Sequence, residues 1–177
     1  MSSIIMDTET TGLTKPSFVG FEEQPRIIEF AAIFIDHRGE IFHTIDELFN
    51  PECKISDEII KGFGWDESEL AKKRLFKEFI PELRDKFYSG TELIGHNLLF
   101  DRDMLSFELD RAACDFFPWP ESLICTVQEY RHLFGFRPNL KQLYEKIVGK
   151  ELDWKHRALD DAMAVYEILK KEGWWNA

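Results

Sequence analysis

Apolar and polar positions along this chain follow two different periods. Up to about residue 50 the apolar residues fall in short runs bounded by turn formers, as strands require. Ser3–Asp7 reads as a short apolar strand, Ile27–Asp36 (IIEFAAIFID) as a second and Glu40–Phe49 (EIFHTIDELF) as a third. His37-Arg38-Gly39 between the last two predicts a hairpin turn. Residues 14–25, TKPSFVGFEEQP, predict a long loop punctuated by Pro16, Gly20 and Pro25. A loop of that length in a compact domain often carries function.

From residue 56 the spacing turns helical. Ser56 can cap a short helix through Ile60, and Glu67–Phe87 is amphipathic, with a break expected near Pro81. Glu92–Gly95 (ELIG) predicts a fourth, buried strand, Phe100–Arg111 a helix, Ser122–Thr126 a fifth strand and Val127–Phe134 a helix. Asn139 can cap LKQLYEKIVG, which Gly149 stops, and Leu159–Glu172 forms the last helix. The first three strands read as antiparallel and the later β-α-β run as parallel. The expectation is an α/β fold, a mixed five-stranded sheet flanked by helices. No repeat, low-complexity tract or linker interrupts residues 1–177, so one domain is expected.

Composition narrows the classes. The chain is 44% hydrophobic and 14% aromatic, with sixteen Phe and five Trp, which supplies a core and excludes a disordered chain. No apolar run reaches the ~20 residues that span a bilayer, and MSSIIMDTET has neither the basic flank nor the apolar segment of a signal peptide. Cys53, Cys114 and Cys125 are odd in number and widely spaced, with no CxxC. They argue against disulfides and a thiolate zinc site, and point to a reducing compartment, the cytoplasm. A net charge of −11 disfavours extended non-specific duplex binding, which needs many cation–phosphate contacts. A small site that takes phosphate through metal ions stays open.

Such a site has candidates. In IIMDTETTGL, residues 4–13, Asp7 and Glu9 end an apolar strand and point the same way. Two like charges on one face repel unless water or a cation offsets them. Asp101 follows the fourth strand in IGHNLLFDRDML. Asp161 lies on an apolar row of the last helix with Ala158, Val165 and Ile168, where an unpaired carboxylate is costly. Asp160 faces away, and His156 stands just ahead of the helix. Mg²⁺ takes oxygen ligands, four converging carboxylates suit two such ions about 4 Å apart, and a nearby His can take a proton from water. Each piece alone has an ordinary explanation, whether solvated surface acids, a helix cap or an acidic first turn. The combination in this order is what points to chemistry.

The chain resembles the DEDDh, or DnaQ-like, 3′→5′ exonucleases of the RNase H-like fold, a family that includes the proofreading epsilon subunit of bacterial DNA polymerase III. DTETTGL at 7–13, HNLLFD at 96–101 and HRALDDA at 156–162 match its three signature segments in order, and RIIEFAAI, NPECKISDEII and LKQLYEKIVG match between them. The resemblance implies that Asp7, Glu9, Asp101 and Asp161 hold two divalent ions, Mg²⁺ or Mn²⁺, with Asp7 bridging both. Glu9 and Asp161 would complete the water-activating site, Asp101 would support the second ion, and His156 would be the general base. It further implies that Thr8, Thr10, Thr11, Gly12 and Leu13 hold the terminal nucleotide, with Leu13 against its base or packed on the core. His96 and Asn97 would contact phosphate or brace the active-site helix.

Two departures bear on substrate. Many relatives carry His-Gly where this chain has Phe63-Gly64, so Phe63 or Trp65 would stack on a base or pack in the core. The 14–25 loop is longer than the family's usual connection and carries Phe18 and Phe21. The implied partner is the 3′ end of a single strand, DNA ahead of RNA. The chain reaches WWNA directly after the last predicted helix. That suggests a stand-alone enzyme, or one on whose surface a DNA polymerase or another replication or repair protein docks, with Trp174-Trp175 as an exposed patch. Two other readings are a haloacid dehalogenase-like phosphatase, disfavoured by Glu9 and by the His before the late acids, and an inactive 3′-end-binding module, disfavoured because no ligand is lost.

Overall fold

A computed structural model describes residues 2–153 and 157–175. The sheet has five strands in the order β3-β2-β1-β4-β5. They are β1 (Ser2–Thr10), β2 (Ile27–Ile35), β3 (Ile41–Leu48), β4 (Gly90–Gly95) and β5 (Ser122–Cys125). β1 pairs antiparallel with β2 and parallel with β4, β2 pairs antiparallel with β3, and β4 pairs parallel with β5. The mixed sheet is therefore as expected. Because β1, β4 and β5 run the same way, their carboxyl ends share one edge, where a doubly covered sheet presents its crevice.

Helices cover both faces. Alternation along β1 sends Ile4 and Met6 to one side, under α3 (Phe76–Phe87) and α4 (Leu98–Arg111), with Phe30, Phe76, Phe79 and Leu105. Ile5 goes to the other side, under α6 (Leu140–Val148) and α7 (Ala158–Lys171), with Ile33, Ile94, Leu143, Val165 and Ile168. β2 is buried at every position, which is why it reads as a continuous apolar run with a single acid, Glu29. A satellite cluster of Ile28, Ile55 and Leu70 packs under α1 (Asp57–Phe63) and α2 (Glu67–Leu70).

Several expectations need correction. β1 runs three residues beyond Asp7, so Thr10 belongs to the strand and the turn begins at Thr11. The amphipathic stretch 67–87 breaks between α2 and α3, and Pro81 lies inside α3. A proline there removes one helical hydrogen bond, and the carbonyl it frees, that of Lys77, belongs to an exposed residue that water can satisfy. The expected helix 127–134 is only the single turn α5 (Thr126–Glu129) followed by a 3₁₀ turn at Arg131–Leu133. Trp174 and Trp175 are not an exposed patch. Both pack on the core, where the Trp175 ring lies against Tyr166 and its indole N–H donates to Ser3 Oγ at 3.2 Å. The caps at Ser56, Asn139 and Gly149 are as expected, Gly149 in the left-handed conformation that ends α6.

The 14–25 loop is built rather than slack. The Gln24 carboxamide, buried, accepts from the Lys15 amide at 2.8 Å and donates to the carbonyls of Lys15 and Val19. Arg111 at the end of α4 donates to the carbonyls of Phe21 and Gln24, both at 2.6 Å. Glu108, buried one turn earlier, accepts from Arg26 at 2.9 Å and from the Ile27 amide at 3.2 Å. Among the described residues no helix is long and apolar enough to cross a membrane.

Candidate active site

Asp7 and Glu9 leave β1 on the α7 side, two residues apart on one face of the strand. Asp161, in the first turn of α7, descends on the same spot. A carboxylate oxygen from each of the three lies within 4.8 Å of the others. The row that carries Asp161 is the buried one, with Ala158, Val165 and Ile168, while Asp160 is exposed as expected.

Asp101 arrives from the opposite face. It lies in the first turn of α4, is buried, and turns one oxygen to Thr8, which donates both its backbone N–H (3.0 Å) and its hydroxyl (2.8 Å). Thr8, the inward residue between the two outward acids, thus fastens the fourth carboxylate to the strand that bears the first two. The charges act on one another. Burial, then Asp101, Asp161, Glu9 and Glu29, push the Asp7 carboxyl well above its ordinary range. Burial, then Asp161, Glu29 and Asp101, push Glu9 up to about 8. Burial raises Asp101 to about 7, against the two bonds from Thr8, which favour its charged form.

Sequence reasoning missed Glu29 and Arg157. Glu29 faces Glu9 directly across the β1–β2 pair and is wholly buried. Arg157, at the N-cap of α7, donates to both its oxygens at 2.6 to 3.0 Å. A lone Glu in the apolar run IIEFAAIFI was the signal, because a buried carboxylate demands a cation. The pair fixes the chain at position 157, four residues before Asp161. His156 lies outside the described residues.

The remaining candidates are placed as follows. Thr10 Oγ1 donates to the Gly12 carbonyl at 2.7 Å, and Thr11 exchanges bonds with Arg26, its amide donating to the Arg26 carbonyl and its hydroxyl accepting from the Arg26 amide. The turn is thereby closed, and Leu13 stands 83% exposed beyond it. His96 Nδ1 lies 2.9 Å from Thr126 Oγ1, and burial holds its pKa down to about 4, so the ring is neutral. Asn97, left-handed before α4, accepts from Arg137 at 2.8 Å. Both are therefore bonded to neighbouring elements, His96 to Thr126 and Asn97 to Arg137. Phe63 and Trp65 stack on each other at 4.4 Å, with Trp65 against the satellite cluster.

A model of the exonuclease family matches residues 4–169. The chain belongs to that family. Within it, this exonuclease domain is 31% identical over 169 residues to a PolC-type DNA polymerase III of Caldanaerobacter subterraneus, covering 95% of this chain but 11% of that polymerase. It is 30% identical over 178 residues to the DNA polymerase III epsilon subunit of Rickettsia prowazekii, covering 95% of this chain and 72% of the subunit. Of solved structures, Exonuclease X in complex with 5′ overhanging duplex DNA superposes with a TM-score of 0.66 at 25% identity, covering 97% of this chain and 93% of that one. The nuclease domain of 3′hExo, described as a DEDDh member bound to rAMP, superposes with a TM-score of 0.76 at 19% identity, covering 99% and 92%, and shares the fold. The exonuclease domain is thus a DnaQ-like DEDDh enzyme on an RNase H-like sheet.

Proposed function

We propose that this domain hydrolyses single-stranded nucleic acid from the 3′ end, DNA in first place, releasing nucleoside 5′-monophosphates. The observation that carries this reading is the convergence of Asp7, Glu9 and Asp161 within 4.8 Å, with Asp101 fastened behind them by Thr8. Oxygen-only donors, held so that each raises its neighbours' proton affinity, fit hard divalent cations. In this reading Asp7, Glu9, Asp101 and Asp161 hold two ions, Mg²⁺ or Mn²⁺. Bound there, such ions acidify a water and stabilise charge on the scissile phosphate and the leaving 3′ oxygen.

The chain's own residues do the rest. Thr8 keeps one oxygen of Asp101 occupied and so aims the other. Arg157 neutralises Glu29, so that this fifth carboxylate does not compete with the four. The turn after β1, closed by Thr10 onto the Gly12 carbonyl, presents Leu13 to the terminal base. His156, assigned on the motif alone, takes the proton of the attacking water. The preference for DNA is supported by the DNA polymerase III relatives, and a polymerase partner is proposed on the same ground.

The test is a gel of 5′-labelled DNA and RNA oligonucleotides of one sequence, single-stranded and paired, in Mg²⁺, Mn²⁺ or EDTA. The expected result is a metal-dependent ladder shortening from the 3′ end of the single DNA strand. A ladder on RNA alone reassigns the substrate, and no ladder on any substrate from folded protein overturns the reading.

A further inference from the structure

An enzyme for nucleic acid in a chain of net charge −11 has to hold an anionic strand somewhere. Charge is unevenly spread. Residues 130–144, YRHLFGFRPNLKQLY, contain no Asp or Glu and include Arg131, His132, Arg137 and Lys141. We propose that the loop after α5, residues 131–139, holds the strand upstream of the reacting 3′ end, Arg131 and Arg137 taking phosphates and Phe136 taking a base. This inference rests on the exonuclease reading.

Topology puts the loop in the right place. It follows β5, whose carboxyl end lies on the same edge as those of β1 and β4, the edge that carries the carboxylates. It is docked there. Arg137 donates to Asn97 Oδ1 at 2.8 Å. Asn97 is the N-cap of α4, and Asp101 follows it by four residues in the first turn. The guanidinium of Arg137 is therefore held beside the first turn that carries a proposed metal ligand.

The chemistry fits a strand better than an acidic protein. Arg131 and Arg137 are exposed and, among the described residues, neither forms an ion pair with a carboxylate. Lys141 does, with Glu145 at 3.7 Å and Glu151 at 3.6 Å, and is left out of the path. Phe134 packs on the core and meets Phe136 edge to face at 5.7 Å, leaving Phe136 half exposed with Leu133 exposed beside it. Two free cations flanking an exposed ring are what a single strand needs, phosphates on the cations and a base on the ring.

The test measures KM for a 5′-labelled single strand over a range of salt, with Arg131→Gln, Arg137→Gln and Phe136→Ala. Each variant is expected to raise KM, Phe136→Ala by about tenfold, the order a lost base–ring stack gives. Each arginine variant is also expected to flatten the log KM against log salt plot by about 0.7, as one lost phosphate contact does for a single strand. Arg131 bonds to nothing through its side chain among the described residues, so its removal does not threaten the fold. For Arg137, a purely bracing role would lower Tm and kcat and leave the salt slope in place. Unchanged KM and slope in both arginine variants overturn the proposal. Hydrolysis of the p-nitrophenyl ester of thymidine 5′-monophosphate by the unmodified protein separates the two levels. If it is turned over while the loop variants match the unmodified protein, the loop assignment alone falls. If neither ester nor strand is turned over, the exonuclease reading and this inference fall together.

Discussion

One oxygen of Asp101 accepts two hydrogen bonds from Thr8, 3.0 Å from its amide nitrogen and 2.8 Å from its hydroxyl, across 93 residues of chain. The strand that presents Asp7 and Glu9 thereby also sets the carboxylate that comes from the other side of the sheet. Thr8→Val keeps the shape and the amide bond but removes the hydroxyl. Metal affinity or turnover is expected to fall about 10- to 100-fold, the usual cost of losing a group that orients a ligand. Mg²⁺ titration of turnover checks this, and an unchanged titration would show the hydroxyl to be idle.

Glu9 and Glu29 face each other across β1 and β2, and Arg157 is the cation that makes this tolerable. Arg157→Ala leaves Glu29 charged and buried, at a cost of about 3 kcal/mol. Tm is expected to drop by roughly 6–12 °C for a chain of this size. Adding Glu29→Gln to Arg157→Ala should recover much of the loss, because the orphaned charge is gone. Thermal melts of the three variants decide it, and equal Tm values for the single and double variants would mean that the ion pair is not the cause.

Metal-free stability should depend on pH in a defined direction. Glu9 at about 8 and Asp101 at about 7 lie above the ordinary carboxylate value near 4, so between those limits the folded state binds protons that the unfolded chain has released. The stability these groups contribute is complete below about pH 4 and is lost as pH rises through 7 and 8. In EDTA the Tm is expected to be lower at pH 8 than at pH 5 on this account. Mg²⁺ is expected to raise Tm more at pH 8, where it meets ionised ligands. A metal-induced rise of equal size at both pH values contradicts the shared site.

Asp161→Asn removes a charge without removing volume. Turnover is expected to fall to background in Mg²⁺, while Tm in EDTA rises, because repulsion with Asp7 and Glu9 is relieved. Substantial remaining turnover would remove Asp161 from the ligand set.

Turnover of the unmodified protein is expected to rise with pH as His156 loses its proton, from a reference value of roughly 6.5. His156→Ala should flatten that limb and lower kcat. An unaltered profile with full turnover would assign the base elsewhere.

Much of the site was legible because its chemistry is local. A strand's two-residue period puts Asp7 and Glu9 on one face, and a helix's period puts Asp161 on a row of apolar residues, wherever the elements end up in space. The strand and helix periods likewise announced the mixed sheet. Two misreadings were also local. Pro81 looked like a break because proline costs a helix one bond, and only the exposed surroundings of Lys77 make that cost small. Trp174 and Trp175 looked exposed because nothing in their own neighbourhood says that Ser3 and Tyr166 lie beneath them.

What the chain alone determined, then, is the inventory of elements, the caps and the carboxylates that need an explanation. Tertiary structure decided the pairings. It alone sets Thr8 under Asp101, Arg157 onto Glu29, and the acid-free loop beside the acidic edge. These contacts join residues 40 to 128 positions apart. No periodicity spans such a distance, because long-range partners are chosen by which faces of the sheet and helices can be buried together.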